Sequence, residues 1–124
     1  MAHGIDILQQ PLNAVERDPF EVKSIKEIFG QGVQDEDWIP KAGEEKAVII
    51  TQDYRIQTTR NQNELYRKHG LGIFFFRAPS KTGFTYWQMV EQVIRRWEKL
   101  KKIARKEKRP FAYRCTSRKD FEKI

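Results

Sequence analysis

The chain has 124 residues, of which 39% are hydrophobic and 33% charged, and its formal net charge is +7. That length holds one domain with one core, and the regular apolar runs exclude a disordered chain. A single cysteine excludes an internal disulfide, no signal-peptide pattern opens the chain, and no apolar stretch reaches membrane-spanning length, so a cytoplasmic protein is expected.

Met1 to Leu12 predicts a short helix, with Ile5, Leu8 and Leu12 at helical spacing and Pro11 limiting its end. Asn13 to Pro19 is polar and proline-bounded, hence a loop. Glu21 to Phe29 reads two ways: Val22, Ile25 and Ile28 repeat at three, yet the β-branched content suits a strand. Gly30 and Gly32 break the chain, and a short helix is predicted from near Trp38, with Pro40 in its first turn. Asp35, Glu36 and Asp37 then stand at or before a helix N-terminus. Acids there cap amides and complement the helix dipole, so position alone leaves capping and cation binding both open.

Ala47 to Thr51 is a continuous apolar run and predicts a strand buried on both faces, the pattern of a parallel sheet. A polar turn follows through Arg55, then a helix over about Asn61 to His69 with Gly70 past its end. Gly72 to Phe76 is the second buried strand, and strand, helix, strand with this connection is a right-handed βαβ unit. Ala78 to Gly83 is a turn-rich connector; its Ser-Lys-Thr-Gly lacks the framework of a phosphate-binding loop and is read as a loop before a helix cap. One long helix is predicted from about Phe84 to Lys106, with Trp87, Val90, Ile94 and Trp97 in its apolar stripe and the tryptophans read as core anchors rather than base-stacking platforms. Past Pro110, Phe111, Tyr113 and Cys115 alternate as a short last strand, and the tail from Thr116 is polar and expected to fray.

The charge is not spread evenly. Arg95 to Arg109 carries nine basic residues against two acids, which accounts for the whole net charge. Such a block is a candidate phosphate footprint, here represented by Arg95, Lys99 and Lys102, with a solvated helix face as the alternative.

In open α/β sheets the active crevice lies at the carboxyl ends of the strands, and Asp53 stands at such an end. Mg²⁺ takes one or two carboxylates together with water and phosphate oxygens, a minimum that Asp35 and Asp53 meet. Thr51 shares a strand face with Asp53, and Arg55 and Arg60 are candidates to position a nucleic-acid backbone, with ordinary surface arginines as the alternative. Such a set suits attack of water on a phosphodiester. His3 and His69 lack zinc-ligand spacing, and Cys115 reads as a buried, inert thiol.

Asp35-Glu36-Asp37-Trp38-Ile39-Pro40-Lys41-Ala42-Gly43, followed by Val48-Ile49-Ile50-Thr51-Gln52-Asp53-Tyr54-Arg55-Ile56, resembles the PIN-like domain family. The resemblance covers roughly residues 20 to 77, with the basic helix and last strand, about 83 to 124, as an extension of a single domain spanning 1–124. It implies a three-layer α/β/α fold with a central, mostly parallel sheet and a long C-terminal basic helix. It also implies a nuclease that depends on Mg²⁺ or Mn²⁺ and acts on RNA rather than DNA, like the toxins of toxin–antitoxin modules, with an antitoxin protein as partner. By this resemblance Asp35 and Asp53 are metal ligands, Thr51 supports them, and Glu36 is a less certain third ligand.

Members of that family begin with a strand ending in an Asp, whereas Met1 to Leu8 reads here as the helix after it and puts Asp6 on a different element. Two alternatives follow. One is a catalytically incomplete module that binds nucleic acid or protein. The other is an interaction domain whose open sheet edge pairs with a second copy, giving a homodimer.

Overall fold

The computed structural model describes residues 2–16, 21–22, 35–52 and 60–124. The chain divides into two compact units, Met1–Gln34 and Asp35–Ile124. The predicted Asp53 and Arg55, the turn that holds them and the ambiguous Glu21 to Phe29 segment fall wholly or mostly outside the described residues.

In the first unit, helix α1 spans Ala2–Asn13 and passes Pro11 by two residues. Its buried positions are Ile5 and Gln9, whereas Leu8 and Leu12, expected on the apolar face, are exposed. Gln9 occupies the inner face because its amide has partners: Nε2 donates to Asn13 Oδ1 at 2.8 Å and to Glu16 Oε2 at 3.3 Å. Asp6 closes the unit from the same helix, with Oδ1 accepting from the Val22 backbone N–H at 2.8 Å and Oδ2 from Gln10 at 3.1 Å.

The second unit is a mixed α/β fold. Its elements are α2 (Asp35–Glu44), β1 (Val48–Thr51), α3 (Arg60–Lys68), β2 (Gly72–Phe76), α4 (Tyr86–Arg95), α5 (Trp97–Lys106), β3 (Phe111–Cys115) and β4 (Glu122–Lys123). The four strands form one sheet in the order β1-β2-β3-β4, the first three parallel and β4 antiparallel to β3. The expected βαβ unit is present, and β2, at the centre, is buried at all five residues. A strand with no solvent face is what the uninterrupted Gly-Ile-Phe-Phe-Phe run encodes.

The register puts Gly72 beside Phe111, Phe74 beside Tyr113 and Phe76 beside Cys115, all on one face. A Cβ on Gly72 would lie 2.2 Å from the Phe111 ring, so glycine is what lets that ring cross the strand. Phe74 meets Phe111, Tyr113 and Phe121 at centroid distances of 5.5, 5.9 and 5.0 Å. This aromatic cluster is the heart of the core.

Helices α2 and α3 feed their strands through the same turn. Lys46 donates to Gly43 O and Ala47 to Ala42 O; Gly70 donates to Arg67 O and Leu71 to Tyr66 O. Each pair is a Schellman ending, which needs a left-handed residue just past the helix. Gly70, at φ +67°, supplies it as the sequence predicts, but in α2 the position is Lys46 at φ 55°. A side chain strains that conformation, so Lys46→Gly is expected to stabilise the fold by about 0.5–1 kcal/mol despite glycine's greater chain entropy. Urea unfolding of the two forms checks it; a destabilised variant would refute the strain.

Four expectations are corrected here. The predicted helix Phe84 to Lys106 is two helices, α4 and α5, broken at Arg96 with φ −105° and ψ 9°. The cause is that Arg96 points inward, donating to Gln92 Oε1 at 2.5 Å and to the Thr116 and Lys119 carbonyls at 2.8 and 3.4 Å. Trp87 is no core anchor: the buried face of α4 is Met89, Gln92 and Val93, and Trp87 lies nearly opposite it, 77% exposed. The tail after Thr116 is ordered into β4, which pairs Tyr113 with Lys123 and Arg114 with Glu122. Its charged side chains suit an edge strand: Arg114 reaches Glu122 at 3.8 Å and Lys123 reaches Glu107 at 3.1 Å. The first helix of this unit also starts earlier than predicted, at Asp35, which moves Pro40 out of the first turn.

Candidate functional site

The carboxyl ends of β1, β2 and β3 lie side by side, because Thr51 pairs with Phe75 and Phe76 with Cys115. This edge is where an open parallel sheet places its crevice. Thr51, half-buried, is the last residue of β1. Gln52 follows it, and its Oε1 accepts from the Phe84 N–H at 2.9 Å, tying the connector before α4 to the end of β1. Asp53 is next in sequence and lies outside the described residues.

Helix α2 returns into β1 through three residues, so it runs antiparallel to the strand. Ten helical residues span about 15 Å and four strand residues about 13 Å, so the start of α2 comes level with the end of β1. Asp35 is therefore placed at the carboxyl edge by its backbone, with Glu36 and Asp37 exposed beside it in the same first turn. Helix α3 joins β2 by the same three-residue device, and a Cβ on Gly43 would lie 2.5 Å from the His69 carbonyl oxygen. The ends of α2 and α3 thus touch at the far side of the sheet, and Arg60 is the first backbone position of α3, at the opposite end of that helix from this contact.

Among the described residues, no group of three or more His, Cys, Asp or Glu side chains comes together to hold a metal. The elements that meet this edge carry, among the described residues, oxygen donors at Glu36, Asp37 and Thr51, while the Cys115 thiol at the end of β3 is buried. Oxygen donors of this kind suit a hard divalent cation such as Mg²⁺ or Mn²⁺ and not zinc.

The basic block is less available than its sequence implies. Arg96 is buried, and Lys101 is fully buried with Glu98 at 3.3 Å. Arg109 donates to Ala47 O at 2.5 Å, and burial lowers its pKa. Lys99 is ion-paired with Asp120, and that hydrogen bond holds the Asp120 carboxyl below its ordinary range. Arg95 and Lys102 are exposed, as are Arg105, Lys106 and Lys108. The charge of α5 therefore serves partly to hold the loop and strand that follow β3.

Cys115 ends β3 and is 1% exposed; burial pushes its thiol up to about 11. It is inert as a nucleophile at neutral pH. Glu107 is held low by its bond from Lys123, while burial and the Glu107 carboxylate raise Tyr113. These groups brace β4 and take no part at the carboxyl edge.

Two features escape the sequence. Gln52 reads as an ordinary strand-end residue until its partner Phe84 is known. Tyr86 and Trp87 open α4 in solvent, and a signal exists for them: adjacent residues on a helix point about 100° apart, so both rings cannot face one core.

No helix among the described residues is long and apolar enough to cross a membrane. No curated protein and no solved structure matches the chain. A family model described as a PIN like domain matches residues 1–78. The match ends two residues after β2, close to the expected limit near 77, and it begins well before the expected residue 20, taking in α1. It spans more than half of the chain and contains the β1–α3–β2 unit together with the acids of α2, and on that ground the chain belongs to the PIN-like domain family.

Proposed function

We propose that the protein is a metal-dependent nuclease that cleaves RNA, with its site at the carboxyl edge of the parallel sheet. PIN-like domains are a nuclease-type fold family, and nucleic-acid binding goes with that family. The observation that carries the reading is the common placement of Asp35, at the start of α2, and Thr51, at the end of β1, two residues before Asp53.

In this reading Asp35 and Asp53 hold a divalent cation, Mg²⁺ or Mn²⁺, with Glu36 as a further oxygen donor. The bound ion would supply a polarised water and neutralise charge on the phosphate. Thr51 orients water through its hydroxyl. Arg60, with Arg55 from the adjoining turn, takes the backbone phosphates flanking the scissile bond, and Arg95 and Lys102 take more distant ones. Lys99 joins them only by sharing itself with Asp120. A toxin role, with an antitoxin as partner and a homodimer as the working form, is the finer version of this reading.

A catalytically incomplete RNA-binding module is the second reading, and Asp6 favours it. That carboxylate is engaged by Val22 and Gln10 on α1. Mn²⁺ titration separates the two. A real site at 100-fold excess over its dissociation constant stabilises the fold by about 2.7 kcal/mol, so the melting temperature should climb with Mn²⁺ and fall back on chelation. RNA cleavage should follow the same curve. A melting temperature indifferent to Mn²⁺, with RNA still bound, would select the incomplete module.

A further inference from the structure

Among the described residues of the second unit most rings are buried or half-buried, but Tyr86 and Trp87 stand in water. Trp87 is 77% and Tyr86 58% exposed, and the two meet edge to face at 5.3 Å. They are the first two residues of α4, whose N-terminus is fixed by a reciprocal capping box between Thr85 and Gln88. Just before them, the Phe84 N–H is held by Gln52, the residue between Thr51 and Asp53. The pair is therefore anchored within one helical turn of the carboxyl edge. An exposed tryptophan can serve as an anchor for a protein or as a stacking surface for a base. Charge distinguishes them: the segment leading into the pair, residues 77–85, contains Arg77 and Lys81, both exposed, and no acid. The first acid after it is Glu91, one turn past Trp87.

We propose that Tyr86 and Trp87 form a base-stacking platform for single-stranded RNA, with Arg77 and Lys81 taking the neighbouring phosphates. Only a single strand exposes base faces to such a ring, and stacking tolerates any base. The assignment of RNA rests on the nuclease reading above, but the platform itself requires no catalysis.

The test is binding of a labelled single-stranded RNA oligonucleotide to the full chain in chelator. Trp87→Ala is expected to weaken binding by about 5- to 150-fold, the range of one base–aromatic stack. Its dependence on salt should stay that of the wild type, because no phosphate contact is lost, while Lys81→Ala should flatten that dependence by about one unit of slope. Trp87→Phe should retain most of the affinity. Melting temperature, expected to be unchanged at so exposed a position, reports folding. Wild-type RNA affinity in a folded Trp87→Ala protein would overturn the platform, and loss of self-association in its place would assign the surface to a protein. RNA bound through Trp87 by a protein that never cleaves would instead refute the nuclease reading and leave the platform standing.

Discussion

Asp53→Asn is expected to lower metal-dependent RNA cleavage by more than about 100-fold, because the loss of a mere hydrogen-bond partner of a metal ligand already costs about 10- to 100-fold. The amide keeps the size of the side chain and removes the negative charge that a hard cation requires. Asp35→Asn should do the same. The double variant should be little worse than either single one, since both would act on one ion and such effects do not add. Affinity for RNA, measured in chelator, should not fall, because removing a carboxylate beside phosphates relieves repulsion. The Gln52 bond to Phe84 is untouched by either change, so the end of β1 and the start of α4 remain coupled. Undiminished cleavage by Asp53→Asn would remove that residue from the site.

What the sequence discloses depends on whether a feature is local. The strands β1 and β2 are legible because each is a short apolar run, and Gly70 marks the turn between α3 and β2. The expected burial on both faces holds only for β2: β1 lies at the edge of the described sheet and buries only Ile49. The equivalent turn after α2 is hidden, because a lysine at Lys46 carries no signal of left-handed backbone. Arg96 is hidden for a different reason. One arginine among nine basic residues reads as surface charge, and only the Thr116 and Lys119 carbonyls 20 and more residues away give it an inward target. Strand β4 has two charged residues and no apolar pattern, so its existence is set by pairing with β3 and not by its own composition. The site is intermediate. Order along the chain places Asp35, Thr51 and Asp53 near strand and helix ends, but the amphipathic phase of α4 is ambiguous because apolar residues surround it. That ambiguity conceals Trp87 as a surface residue.

Phe74→Ala should be the most damaging single truncation in the fold, costing about 3–5 kcal/mol out of the roughly 5–15 kcal/mol that holds a domain of this size together. Phe74 is fully buried at the middle of the central strand, and its ring touches Phe111, Tyr113 and Phe121 at once. Neighbouring strands cannot move in to refill the space, because their separation is fixed by the β1–β2 and β2–β3 hydrogen-bond ladders. The void therefore persists, and the cost stays near the top of the range. Phe121 gives the control that separates packing from strand loss. It comes from the tail, is half-exposed, and also meets Phe76 at 5.6 Å. A double-mutant cycle between Phe74 and Phe121 should give a coupling of about 0.5–1.5 kcal/mol, the strength of an aromatic pair beyond its buried area. Zero coupling, with Phe74→Ala still costly, would mean that the tail merely covers the sheet. Substantial coupling would make β4 part of the same cooperative unit as β2, so that urea unfolds both at one midpoint.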